Sequence, residues 1–306
     1  MVTRRELLAT LASSYVVSAF RRTVDAASSM RFGYAAITWG AALPQAMDDI
    51  AAVGFRGIQL RGEAFVQYGD EPAALREALA QHRLTFAVLS SGNLSIDPAR
   101  EREELATHVR HAQFVKDAGG LYLQVIDERP KGRTIVAEDY RRLGRLMTEL
   151  GKRTADLGVP LVYHHHMNSL GEKPDEVAAV LGAADKKHVR VLFDVAHYQQ
   201  GGGDPVAALR RYRDWIDVVH LKDVRPAPPA SPGSPAPPAP PAPSYQFVEL
   251  GRGRVDLPGV FAALGEIKFG GWAIVELDRV PDPGRTPKES AEINKRYLIE
   301  KMHQTI

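Results

Sequence analysis

Four short segments of this chain end apolar runs in side chains that hold cations or move protons. Leu161-Val162-Tyr163 leads into His164-His165-His166, and alternate side chains of an extended backbone share a face, so His164 and His166 point together while His165 points away. Val191-Leu192-Phe193 ends in Asp194, with His197 three residues on; a carboxylate closing an apolar strand is costly unless it meets a cation or several donors. Val218-Val219 leads into His220 and Lys222, which share a face, and Trp272-Ala273-Ile274-Val275 leads into Glu276 and, on the same face, Asp278. One of His164 and His166, together with Asp194, His220 and Glu276, makes a mixed nitrogen and oxygen shell that fits Mn²⁺, Co²⁺, Mg²⁺ or Zn²⁺.

Such a shell suits one class of chemistry. A divalent ion chelated by neighbouring carbonyl and hydroxyl oxygens acidifies the C–H bond between them and stabilises the enediolate. Glu276, Lys222 and His197 are the candidates for moving the proton. Lys222 has a plain alternative as a solvated lysine paired to Asp223, and His197 as a partner of the ligands, a substrate contact or a loop residue. Reprotonation of the enediolate gives an isomer or epimer, whereas expulsion of a β-hydroxyl gives dehydration.

These residues need strands to place them. From Arg31 onward, short β-rich apolar runs alternate with helical patterns, the signal for βαβ units and a parallel sheet. Strands are predicted at Phe32–Thr38, Gly57–Leu60, Thr85–Leu89, Leu121–Val125, Leu161–His164, Val189–Phe193, Val218–Leu221 and Trp272–Leu277. Helices are predicted at Leu43–Val53, Ala73–His82, Glu101–Ala118, Ala137–Leu157, Pro174–Ala183, Pro205–Trp215 and Leu257–Leu264. The strand number and alternation predict an α/β chain, one (β/α)8 barrel over residues 31–306, with its site at the strand C-termini. Glu63 follows the second strand and Asn93 the third, where substrate hydroxyls bind, although turn and cap chemistry explains both segments equally well. Gly251-Arg252-Gly253 reads as a tight turn rather than a phosphate loop. The Pro/Ala/Ser stretch at 226–243 has no apolar periodicity and reads as an insertion leaving from the catalytic face.

Composition closes off other readings. Across 306 residues, 39 basic side chains nearly balance 37 acidic ones, so nothing resembles the basic face that nucleic acid requires. The absence of cysteine excludes thiolate catalysis, disulfides and any Cys-containing zinc site. Residues 1–30 read as a signal peptide: Thr3-Arg4-Arg5-Glu6-Leu7-Leu8 resembles a twin-arginine motif, Leu7 to Phe20 is apolar but too short to span a bilayer, and Val24-Asp25-Ala26 offers a cleavage site. A periplasmic or otherwise extracytoplasmic location is expected, and a cytoplasmic one if the segment is only a frayed helix.

Phe32-Gly33-Tyr34-Ala35-Ala36-Ile37-Thr38-Trp39-Gly40, the Tyr163 to Asn168 run and Phe193-Asp194-Val195-Ala196-His197 with Gly201-Gly202-Gly203-Asp204-Pro205 recur in one known family. So do Val219-His220-Leu221-Lys222-Asp223-Val224-Arg225, Leu250-Gly251-Arg252-Gly253-Arg254-Val255-Asp256 and Gly270-Gly271-Trp272-Ala273-Ile274-Val275-Glu276. In that order they resemble the xylose-isomerase-like barrels, inosose dehydratases above all. The resemblance implies one catalytic divalent metal, Mn²⁺ or Co²⁺ in preference to Mg²⁺ or Zn²⁺, on Asp194, His220, Glu276 and either His164 or His166. It implies a keto-sugar or keto-polyol substrate, with Glu63, Asn93 and Arg225 as substrate contacts. Gln59, where the wider family often has Glu, the Glu276-Leu277-Asp278-Arg279 run and the proline insertion depart from the pattern. Two other classes compete: an extracytoplasmic sugar-binding protein with a vestigial metal set, and an abasic-site endonuclease, against which the near-neutral charge stands. Oligomeric state is left open.

Overall fold

The computed structural model describes residues 30–227 and 244–306. The signal-peptide reading of 1–30, apart from Met30, and most of the 226–243 insertion lie outside the described residues.

The chain opens with β1 (Arg31–Ala35) and a 3-10 turn (Ala36–Trp39), followed by α1 (Leu43–Val53), β2 (Gly57–Arg61), α2 (Gly62–Tyr68) and α3 (Pro72–Gln81). Next come β3 (Thr85–Leu94), α4 (Glu101–Asp117), β4 (Tyr122–Asp127), α5 (Ala137–Asp156), β5 (Leu161–His164), α6 (Pro174–Ala183) and β6 (Val189–Asp194). The remainder is α7 (Val195–Gln200), α8 (Pro205–Arg211), β7 (Ile216–Leu221), β8 (Asp223–Pro226), β9 (Tyr245–Val248), α9 (Leu257–Glu266), β10 (Trp272–Val275) and α10 (Pro287–Glu300). Parallel strands close in the order β1-β10-β7-β6-β5-β4-β3-β2, the (β/α)8 barrel that the alternation predicts. Among the described residues no helix is long and apolar enough to cross a membrane.

Strand alternation divides the core in two. The larger buried cluster packs the outward residues, such as Val191, Phe193, Val219 and Tyr163, against the helices. The smaller one holds Val88, Val162, Leu192, Val218, Trp272 and Ile274, the inward set that fills the barrel. A Cβ on Gly57 would strike the Trp272 ring, and one on Gly33 would come within 2.6 Å of the Ile274 side chain, so two glycines make room for the plug at the bottom of the barrel. The same parity that turns Val162, Leu192, Val218 and Ile274 inward delivers His164, Asp194, His220 and Glu276 to the top, two residues further along each strand.

Several expectations are corrected. The helix expected over Pro205–Trp215 ends at Arg211, and β1 ends at Ala35 in the 3-10 turn rather than running to Thr38. Ser90 to Asn93 is strand, not turn: β3 continues to Leu94 because Asn93 and Leu94 pair with Ile126 and Asp127 after a register shift. An antiparallel hairpin, β8 with β9, flanks the proline insertion, with Pro226 opposite Tyr245.

Asp223 organises the loop after that hairpin. Its carboxylate accepts from Val224 and Val255 at 2.8 and 3.0 Å and from Gly251 and Gly253 at 3.0 and 2.9 Å. Gly251 sits at φ +80°, so Gly251-Arg252-Gly253 is the tight turn, wrapped on a carboxylate. Asp223→Ala strips four backbone donors of their acceptor and is expected to cost about 3 kcal/mol in urea unfolding. A loss below about 1 kcal/mol would show that water replaces the carboxylate freely.

Candidate active site

β6 ends in Asp194, whose Oδ1 accepts from the backbone N–H groups of Ala196 and His197, both at 2.8 Å, and so caps α7. That fixes the other oxygen, Oδ2, toward three imidazoles: His220 Nδ1 at 3.3 Å, His164 Nε2 at 3.6 Å and His197 Nε2 at 3.9 Å. Glu276 Oε2 lies 3.5 Å from His220 Nε2. One donor atom each from His164, Asp194 and His220 falls within 4.8 Å of the other two, as do those of Asp194, His197 and Glu276. His164 Nε2 is buried, has no hydrogen-bond partner and faces a carboxylate, so it could serve as one ligand of a cation held with Asp194 and His220.

The electrostatics agree with that fit. Burial, more than the neighbouring His220, pushes the His164 imidazole down to about 4, so at neutral pH it keeps a lone pair. Burial alone would raise Asp194, but His197, His164, His220 and Lys222 together hold it well below the usual carboxylate range. Glu276 is likewise lowered, with His220 and Lys222 outweighing burial. His165 points away as the alternation requires, accepting from the Asp194 N–H at 3.3 Å and packing on Phe193 and Tyr198.

A cavity of about 730 Å³ opens above this cluster. Glu276, His164 and His166 line it, as do Glu63 and Asn93, the residues expected to meet substrate. Arg225 does not: it lies on β8 and donates to Gln246 Oε1 at 3.2 and 3.0 Å, because the hairpin turns it away from the barrel mouth. His166 is set apart from the donor cluster, its ring stacked on His197 at 3.7 Å and its Nδ1 2.7 Å from Met167 O, which separates it from His164.

A family model described as xylose isomerase-like TIM barrel matches residues 47–299. The chain belongs to that family. Inosose dehydratase of Geobacillus kaustophilus (strain HTA426) is 29% identical over 276 residues, 86% of this chain and 88% of that protein. Rhizopine catabolism protein MocC of Rhizobium meliloti is 30% identical over 254 residues, 78% of this chain and 76% of that protein. Among solved structures, the IOLI protein with a bound zinc atom superposes at a TM-score of 0.71 with 19% identity, over 88% of this chain and 97% of the other.

In this xylose isomerase-like barrel, Lys222 is neither solvated nor paired to Asp223. It is fully buried and donates to Glu276 Oε1 at 2.8 Å and Asp278 Oδ1 at 2.5 Å, with Nζ 4.1 Å above the Phe247 ring. Asp223 is unavailable to it because four backbone N–H groups occupy that carboxylate. Burial opposes the charge, but Asp278, Glu276 and Asp194 raise the Lys222 pKa above its ordinary value. His197, also buried, stands 3.4 Å from Lys222 Nζ and behind His166, away from the cavity lining.

Two amides on the cavity floor belong to the site. Gln59 accepts from His220 Nε2 at 2.8 Å and donates to Gln124 at 3.1 Å, and the Gln124 side-chain amide lies 2.9 Å from His164 Nδ1. The sequence signal for Gln124 is a lone amide at an inward position of a strand that is otherwise aromatic or aliphatic up to Ile126. Ser91, also on the cavity wall, lies 2.6 and 2.7 Å from the Nδ1 atoms of His108 and His111 on α4. Those histidines are seventeen and twenty residues away, so no local spacing announces them.

Proposed function

We propose that this protein enolises a keto-sugar or keto-polyol at one divalent metal held by His164, Asp194, His220 and Glu276. The observation that carries the reading is the buried, unpartnered His164 Nε2 aimed at Asp194 Oδ2, at the floor of an open cavity. Bound there, a divalent cation supplies Lewis acidity to adjacent carbonyl and hydroxyl oxygens of the substrate. The relatedness to inosose dehydratase supports a ring ketone as substrate and a sugar-modifying activity.

The chain's own residues divide the remaining work. Glu276 is ionised and reaches the cavity, so it takes the proton from the carbon beside the carbonyl. Lys222, held as an ammonium by Glu276 and Asp278, fixes the carboxylate's orientation and keeps it deprotonated. It does not serve as a base at neutral pH. His197 packs between His166 and Lys222 and holds both in place. Glu63 and Asn93 offer hydrogen bonds to substrate hydroxyls from the cavity wall. Return of the proton to the enediolate gives an isomer or epimer, and loss of a β-hydroxyl gives dehydration.

Proton NMR in D₂O of the metal-loaded protein with scyllo-inosose and methyl 3-keto-glucoside tests the step directly. Deuterium uptake beside the carbonyl, abolished by chelator, is the expected result. Metal-loaded protein that leaves every such proton in place would defeat the reading.

A further inference from the structure

The cavity over the cluster does not end at its own wall. A second hollow of about 490 Å³ meets it at Asn93, Ile126 and His166. Drug-sized ligands occupy pockets of about 300–1,000 Å³, so the first chamber already exceeds the needs of one sugar ring and the second lengthens it into a trench. The His166 ring, at the junction, lies 5.5 Å from the His164 ring, so the second hollow begins one side chain away from the donor cluster.

The chemistry of that hollow says what it holds. Most of its charges are committed: Arg129 donates to Ser169 O at 2.9 Å and faces Glu176 at 3.5 Å, Glu128 takes Arg100 at 3.0 Å, and Asp127 accepts from Tyr163 at 2.7 Å and Gly171 N at 3.0 Å. Three side chains on the lining have no hydrogen bond or ion pair among the described residues: the amides of Asn93 and Asn168 and the ammonium of Lys131. Asn168 and Lys131 are both exposed, Asn168 on a left-handed turn at φ 62°. Two free amides, one exposed cation and the apolar surface of Ile126 and Met167 match the hydroxyl edges and C–H face of a neutral pyranose. A phosphate would call for a nest of backbone N–H groups or several convergent cations, and a single exposed lysine supplies neither.

We propose that the substrate is a keto-sugar joined by a glycosidic bond to a second sugar ring, with the oxidised ring over Glu276 and the second ring between Lys131 and Asn168. The proposal rests on the enolisation reading above. It makes Lys131 and Asn168 specificity residues that touch only the far ring.

The test compares 3-ketotrehalose and 3-ketolactose with methyl 3-keto-glucoside and scyllo-inosose as substrates of the metal-loaded full chain, by deuterium uptake. At least one keto-disaccharide is expected to exceed the methyl glycoside in kcat/KM by about tenfold or more. Lys131→Ala and Asn168→Gly, the second chosen because glycine tolerates the left-handed turn, are each expected to lower that preference about fivefold. A preference near unity in the unmodified protein overturns the assignment, as do variants that slow disaccharide and methyl glycoside to the same extent. Silence with all four compounds, metal bound, overturns the enolisation reading itself and this proposal with it.

Discussion

Asp194→Asn is expected to abolish stoichiometric binding of a divalent metal and to lower turnover on the order of a thousandfold, with the helical circular dichroism unchanged. Asparagine retains an oxygen where Asp194 Oδ1 caps α7 through Ala196 and His197, so the helix start survives. What is lost is the negative charge at Oδ2, on which His164, His220 and His197 converge. Asp194→Ala removes the cap as well and is expected to cost about 1 kcal/mol more in stability. The measurement is metal content after dialysis, alongside deuterium uptake. Metal retained at the unmodified level in both variants would move the site away from the ends of β5, β6 and β7.

Lys222→Met carries the second large effect, on stability and rate together. Among the described residues it removes the one ammonium paired to Glu276 and Asp278, leaving the buried Glu276 without that partner, which costs about 3–5 kcal/mol when one member of a buried pair is deleted. The sign with pH follows from the direction of the shift. Because the folded-state pKa of Lys222 is raised above 10.5, its stabilisation is complete below 10.5 and is lost as pH climbs through the higher folded value. The gap between unmodified and variant protein in urea midpoints is therefore expected to be flat from pH 6 to 10. Turnover falls by about two to four powers of ten, as for loss of a group that governs proton transfer. Equal stability at pH 7, with normal deuterium uptake, would reduce Lys222 to a spectator.

Local pattern carried much of this architecture. Leu161–His164, Leu43–Val53 and Pro174–Ala183 are read to the residue, since each starts or stops at Pro, Gly or a switch in apolar period. β3 is read short, because Ser90-Ser91-Gly92-Asn93 are turn formers locally and only pairing with β4 keeps them extended. The β8–β9 hairpin is missed for a related reason: its partners, Pro226 and Tyr245, are separated by the proline stretch. α7 escapes notice because six residues give too little periodicity, although Asp194 followed by Val-Ala-His is an N-cap once the strand end is known.

Alternation along the strands likewise makes His164, Asp194, His220 and Glu276 legible as side chains that face one cavity. It cannot say which of them touch. The link from His220 through Gln59 and Gln124 to His164 runs across strands far apart in sequence, and the ion pair that takes Lys222 to Glu276 and Asp278 instead of neighbouring Asp223 is decided by where the Asp223 carboxylate is already spent. Arg225 lies outside the cavity lining on the same ground: the hairpin that carries it is a tertiary feature.

Among the described residues, the plug of Trp272 and Ile274 against Gly57 and Gly33 closes the barrel at the end away from Glu276. Traffic through the site is therefore two-way along a single lane: whatever leaves retraces the route by which the next molecule arrives. A product still resting above Glu276 would stand in the way of its successor, so product inhibition is expected to take the form of simple competition for the free protein.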